Sequence, residues 1–196
     1  MNDVVKIPMF PLSIFPLPGE IIPLHIFGTP LSANFLEDAE SNDMAFGIYF
    51  NHVSNSEKLG SLVKLESVIK RYETGESDII VKCIDILSLS KMFRTFRDKS
   101  YPGGEVELWH VDVTQPMGDD LRAYFSEYSS LNRMNHSDKN VSLYDAANEL
   151  NLGFEERLKL VLLEEARKEH FLISRLKYQI QLLHQVEKAK DVYHLN

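Results

Sequence analysis

In the first third of the chain the apolar residues are interrupted by proline rather than spaced at any regular period. Over Ile7 to Phe27, read as IPMFPLSIFPLPGEIIPLHIF, five prolines (Pro8, Pro11, Pro16, Pro18, Pro23) and Gly19 stand between apolar side chains. Proline fixes φ and removes a backbone donor, so no long helix can run through this stretch. The pattern predicts two extended pieces, Val4–Phe10 and Glu20–Ile26, placed as edge strands or as bulged strands that bend into a barrel. Between them Leu17-Pro18-Gly19-Glu20 suits a type II turn, which needs φ > 0 at Gly19.

Pro30 to about Ser41 reads as a helix, with Thr29 as cap and Leu31, Phe35 and Ala39 on one face. Phe46 to Phe50 is a short strand-type run. From Leu59, Val63, Leu65 and Ile69 alternate with Lys64, Glu66 and Lys70, a longer strand. Thr74-Gly75-Glu76-Ser77 signals a hairpin, and Asp78 to Leu89 returns. A turn at Tyr101-Pro102-Gly103-Gly104 precedes a last strand, Glu105 to Val113.

From Pro116 the period becomes helical. Leu121, Tyr124, Phe125, Tyr128, Leu131 and Met134 form one stripe behind Asp119 and Asp120. Ser142 to Asp145 resembles a capping box and opens a short helix to Leu150. A third helix is expected from Phe154 to Arg167, with Leu158, Val161, Leu162 and Glu165 along its inner edge. A fourth, Glu169 to about Lys190, carries Ile173, Leu176, Ile180 and Leu183 at heptad-like spacing. The class predicted is α+β: an antiparallel pseudo-β-barrel over residues 1–116, then a helical bundle over 117–196.

Composition narrows the function classes. The net charge is −8, split as 10 Lys/Arg against 16 Asp/Glu in residues 1–116 and 11 against 13 in 117–196. Neither half has the basic excess that phosphate binding needs, so nucleic acid is not the expected partner. The apolar runs are too short to span a membrane, and the N-terminus shows no basic-then-apolar leader. Cys83 is the single cysteine, which fits a reducing, cytoplasmic location.

Catalytic motifs are sparse. The sequence has no GxxxxGK[ST] phosphate loop and no GxSxG elbow. Its histidines (His25, His52, His110, His136, His170, His184, His194) lack HExxH or HxH spacing, so no metal or other cofactor is expected. His25 reads as a hydrogen-bonded structural histidine and Cys83 as a small core residue. The pairs Glu155-Glu156 and Glu164-Glu165 read as solvated helix faces. One stretch invites a binding role. Lys91 to Gly104 sets Met92, Phe93, Phe96 and Tyr101 among Arg94, Arg97 and Lys99, an adaptable apolar contact surface if exposed and a barrel plug if not.

Three blocks of the proline-rich stretch carry a family resemblance: Phe10-Pro11-Leu12, Pro18-Gly19-Glu20 and Pro23-Leu24-His25-Ile26-Phe27. Together they resemble the opening signature of the Lon-protease N-terminal, substrate-binding domain, which also occurs as a free-standing bacterial protein. Leu150 to Arg157 and the helix after it are similar to the helical half of that domain. Where the family usually has Glu-Pro-Arg-Tyr, this chain has Gly28-Thr29-Pro30-Leu31-Ser32. The resemblance implies a PUA-like barrel and a non-enzymatic module that captures unfolded or exposed apolar polypeptide, with a protease or chaperone as further partner. On this reading Phe10, Pro11, Leu12, Pro18, Gly19, Pro23, Leu24, His25 and Phe27 are structural, and the ATPase and Ser–Lys peptidase domains of full-length Lon are missing. Two alternatives stand beside it: a PUA-like RNA-binding protein, and a small hydrolase whose site residues are scattered through the sequence.

Overall fold

The computed structural model describes residues 4–27, 30–134 and 141–193. The chain forms two compact units, Met1–Val113 and Thr114–Asn196. The fold is α+β, six strands and one helix followed by further helices.

Unit one contains β1 (Val4–Phe10), β2 (Ile21–Ile26), α1 (Pro30–Ser41), β3 (Ala45–Tyr49), β4 (Leu59–Arg71), β5 (Ser77–Phe93) and β6 (Gly103–Leu108). The long strand β5 organises the sheet. It pairs with β4 along one edge, with β2 over its first part and with β6 over its last. The sheet order β2-β5-β4-β3-β1-β6 therefore closes through β5–β6, and β2 stays outside the ring. The position of β2 suits Pro23, which has no N–H to give a ladder and is tolerated in an edge strand. All pairings are antiparallel except β1 with β3, which run parallel because β2 and α1 intervene between them.

Alternation along β5 buries Ile79, Val81, Cys83, Asp85, Leu87 and Leu89, broken once where Ile86 is buried as well. The first three join Ile26, Phe46, Ile48, Val63 and the α1 residues Phe35 and Leu36 in one apolar cluster. Leu87 and Leu89 join Met9, Leu62 and Val106 in a second. The proline-rich stretch is fastened to this sheet at Pro16, whose carbonyl accepts from Ser61 Oγ at 2.6 Å and Cys83 Sγ at 3.5 Å. Gly19 has φ 79°, and Glu20 N donates to Leu17 O at 3.0 Å, as the type II turn requires.

Four expectations need correction. Ile69 is 60% exposed, and Val68 packs on the core instead. Bulges between Leu65 and Ser67 and between Val68 and Lys70 reverse the alternation there. The last strand stops at Leu108 rather than Val113. His110 N and Val111 N donate to the Asp85 carboxylate at 3.0 and 2.9 Å, and Ile86 N does so at 2.8 Å, so the chain leaves the ladder. The connection after β5 spans 94–102, not 91–104, and it reverses at Phe96–Lys99 with Arg97 at φ 54°. Gly103 and Gly104 pair with both β1 and β5 and so belong to β6, and glycine is needed there because a Cβ would lie 2.6 Å from Phe96 Cδ2 and 2.9 Å from Met9 Cγ. The expected cap Thr29 lies outside the described residues.

Unit two contains α2 (Asp119–Leu131), α3 (Leu143–Asn148), α4 (Phe154–Leu162) and α5 (Glu165–Tyr193). The capping box at α3 is complete: Asp145 N donates to Ser142 Oγ at 3.1 Å and Ser142 N to Asp145 Oδ2 at 2.8 Å. The fourth correction is the α4–α5 boundary. The helix expected to reach Arg167 ends at Leu162, because Leu163 is extended at ψ 146°. Glu164 O then accepts from Arg167 N and Lys168 N and starts α5. Leu162 is accordingly exposed, and the buried positions of α5 recur every fourth residue as Lys168, Leu172, Leu176 and Ile180. Among the described residues no helix is long and apolar enough to cross a membrane.

Lys168 is only 8% exposed. Its Nζ donates to Tyr144 Oη at 3.4 Å and lies 5.7 Å from that ring's centroid. Burial holds its pKa below the usual lysine value of 10.5, with Glu165 partly opposing. The unfolded chain therefore binds more protons between the folded pKa and 10.5, and stability should rise with pH through that window. Lys168→Met is expected to flatten this rise and to lift the melting temperature by about 2–4 °C per kcal/mol recovered. Thermal melts of both proteins across alkaline pH check it; a variant with the wild-type slope contradicts it.

Candidate functional site

The segment from β5 to β6 borders an open cleft of about 540 Å³, entirely within unit one. Lys6 to Pro8 of β1, Asp38 of α1, Asn42, Met44 and Ala45 line one side, and Phe96, Arg97, Asp98, Lys99 and Tyr101 the other. Asp38 ties the two sides together. Its carboxylate accepts from Tyr101 Oη at 2.8 Å and from Lys99 Nζ at 3.0 Å. Lys99, then Tyr101, holds the Asp38 carboxyl below the usual carboxylate range. Burial, reinforced by the bond to Asp38, pushes the Tyr101 phenol up, so the hydroxyl stays a donor at any physiological pH.

The four sequence candidates occupy different positions. Tyr101 is 2% exposed, with its ring edge-on to Phe35 at 5.2 Å, and belongs to the core. Phe96 is half-buried: its ring stacks on Tyr101 at 6.3 Å and packs against the core cluster, and Arg97 lies over it at 5.2 Å. Phe93 is half-buried at the end of β5, with the ammonium groups of Lys6 and Lys91 at 5.6 and 5.4 Å from its centroid. Met92 is 39% exposed. Gly103 relates the two phenylalanines, being the register partner of Phe93 and the close neighbour of Phe96. The arrangement is an aromatic shelf edged by cations beside an open cleft. It offers apolar contact with adjustable charge.

The motif residues of the proline-rich stretch are spread along unit one. Phe10 packs its ring on Phe35 at 5.1 Å, Leu12 and Leu24 lie against the core, and Pro18 is buried in the turn. Pro11, Pro23 and Phe27 are exposed. His25 Nδ1 lies 2.7 Å from Asp78 Oδ1, its register partner across β2–β5. Asp78 Oδ2 also accepts from Tyr72 Oη at 2.6 Å, and Tyr72, then His25, keeps the Asp78 carboxyl low. This Tyr72–Asp78–His25 network escaped the sequence reading, since only the strand register brings the three together. Cys83 is fully buried, and desolvation pushes its thiol up, so it remains a thiol. Among the described residues no three His, Cys, Asp or Glu side chains are grouped to hold a metal ion.

Comparison with known proteins gives one family. The model of the ATP-dependent protease La (LON) substrate-binding domain matches residues 6–194. Among solved structures, a Lon N-terminal domain protein from Xanthomonas campestris is similar, at 18% identity and a TM-score of 0.64, over 87% of this chain and 98% of that one. The N-terminal domain of Mycobacterium avium complex Lon protease is similar at 15% identity and a TM-score of 0.51, over 92% of this chain and 98% of that one. At these identities the likeness establishes the fold alone. No curated protein sequence matches significantly.

Proposed function

The chain belongs to the ATP-dependent protease La (LON) substrate-binding domain family, and from that premise we propose that it is a non-enzymatic module that captures exposed apolar polypeptide as an accessory to proteolysis. The match over residues 6–194 carries this reading. Phe96 lines the cleft, and the half-buried Phe93 ring lies beside Lys6, another lining residue, which supports placing the contact there. Partly exposed rings next to a methionine suit a partner that varies in sequence, because such contacts need shape more than fixed hydrogen bonds. The chain holds no phosphate loop, so ATP turnover is not expected. A lone buried cysteine suits a reducing compartment.

The test uses a reduced, carboxymethylated protein that stays unfolded, fluorescently labelled and titrated with the intact chain. Saturable binding is expected, competed by the unlabelled unfolded protein and not by its native form. ATP hydrolysis and peptide cleavage should both stay at background. Absence of saturable binding, or turnover by enzyme-free preparations, contradicts the reading.

A further inference from the structure

The charges around the aromatic shelf do not match those of the chain. The protein as a whole carries −8, yet Lys6, Lys91 and Arg97 lie against the two rings at this end of the barrel, Arg94 follows β5 directly, and Glu105 alone is the register partner of both lysines. Among the described residues none of the four has a carboxylate within ion-pair range. By contrast Lys64 is paired with Asp43, Arg71 with Glu40 and Lys99 with Asp38. Lys6 and Lys91 lie over the Phe93 ring and Arg97 over Phe96, so apolar contact and positive charge are offered at the same points. Asp38, a carboxylate of the cleft wall, is occupied by Lys99 and Tyr101.

Resting on the polypeptide-binding reading above, we infer that the shelf selects segments in which acidic residues flank an aromatic or aliphatic anchor. The anchor lies against Phe93 and Phe96, and the flanking carboxylates meet Lys6, Lys91, Arg94 and Arg97. Screening limits the reach of exposed charges to roughly 8 Å at physiological salt, so these local cations outweigh the distant net charge of the chain. The same cations and rings could face single-stranded RNA. Asp98 in the cleft lining and Glu105, the register partner of both Lys6 and Lys91, oppose a continuous run of phosphates. Separate peptide carboxylates can be placed between them.

The test measures anisotropy of two labelled peptides with one Phe-Leu anchor, one flanked by glutamates and the other by lysines, against the intact chain. A labelled oligouridine is the third probe. The acidic peptide should bind about tenfold more tightly than the basic one, and its advantage should shrink as salt rises. Lys6→Glu combined with Lys91→Glu should abolish or reverse the preference. Lys6→Gln, which puts no second carboxylate beside Glu105, should reduce it without risk to the fold. Equal affinity for the two peptides overturns the charge selection and leaves polypeptide capture standing. Binding of neither peptide removes the reading beneath it as well. Tighter binding of oligouridine than of the acidic peptide overturns it in favour of nucleic acid.

Discussion

Asp85→Ala is expected to destabilise the barrel by about 3–5 kcal/mol, the largest effect of any single substitution considered. Asp85 is buried and accepts from three backbone amides, those of Ile86, His110 and Val111. It thereby turns the chain out of β6 and ties that exit to β5, the strand that pairs with β2, β4 and β6. Removing the carboxylate leaves the Ile86 amide, inside the sheet, without its acceptor. Hydrogen bonds to a charged acceptor contribute about 1.5–3 kcal/mol each, and water can replace only the outer two. Asp85→Asn keeps one acceptor oxygen and should lose roughly half as much. Urea unfolding monitored by the single tryptophan, Trp109, next to the clamp, measures both. An Ala variant within about 1 kcal/mol of wild type would mean that the clamp is not holding the barrel.

Phe93→Ser and Phe96→Ser should separate binding from stability. Phe93 sits at a strand end under two ammonium groups and outside the core clusters. Its loss should weaken capture of unfolded polypeptide by about thirtyfold, the effect of about 2 kcal/mol at an anchor, while unfolding stability changes by under about 1 kcal/mol. Phe96 also packs on the core and stacks with Tyr101, so its truncation should cost about 2–3 kcal/mol of stability as well as affinity. Binding and melting recorded on each variant decide the matter. Unchanged affinity in Phe93→Ser would remove the shelf from the contact, whatever Phe96→Ser does.

The fold was largely legible in the sequence, for physical reasons that also explain the lapses. The proline blocks could form nothing but short extended pieces, and the one that ended at the sheet edge contains Pro23. The α3 capping box was visible because its two side chains are three residues apart. What stayed hidden depends on distant partners. Nothing local at Leu163-Glu164 marks a helix break: there is no proline or glycine, and the apolar pattern continues on both sides. Ile69 looked inward until two bulges shifted the alternation. Gly103-Gly104 looked like a turn, but these glycines make room for Phe96 and Met9, contacts from elsewhere in the chain. The candidate site divides in the same way. The cluster of aromatic and basic residues near β5 could be read directly. That Tyr101 belongs to the core depends on α1, whose Phe35 meets its ring and whose Asp38, 63 residues earlier, accepts from its hydroxyl.

On the proposed function, polypeptide is captured at the end of β5, beside the cleft. Hydrogen–deuterium exchange of the intact chain, with and without saturating unfolded polypeptide, tests it most directly. Bound polypeptide should slow amide exchange across residues 94–102 and from Asp38 at the end of α1 to Met44 in the turn after it, with the rest of the barrel unchanged. Protection confined to the free edge of β2 or to α5, with residues 94–102 exchanging as before, would rule out capture at this end of the barrel.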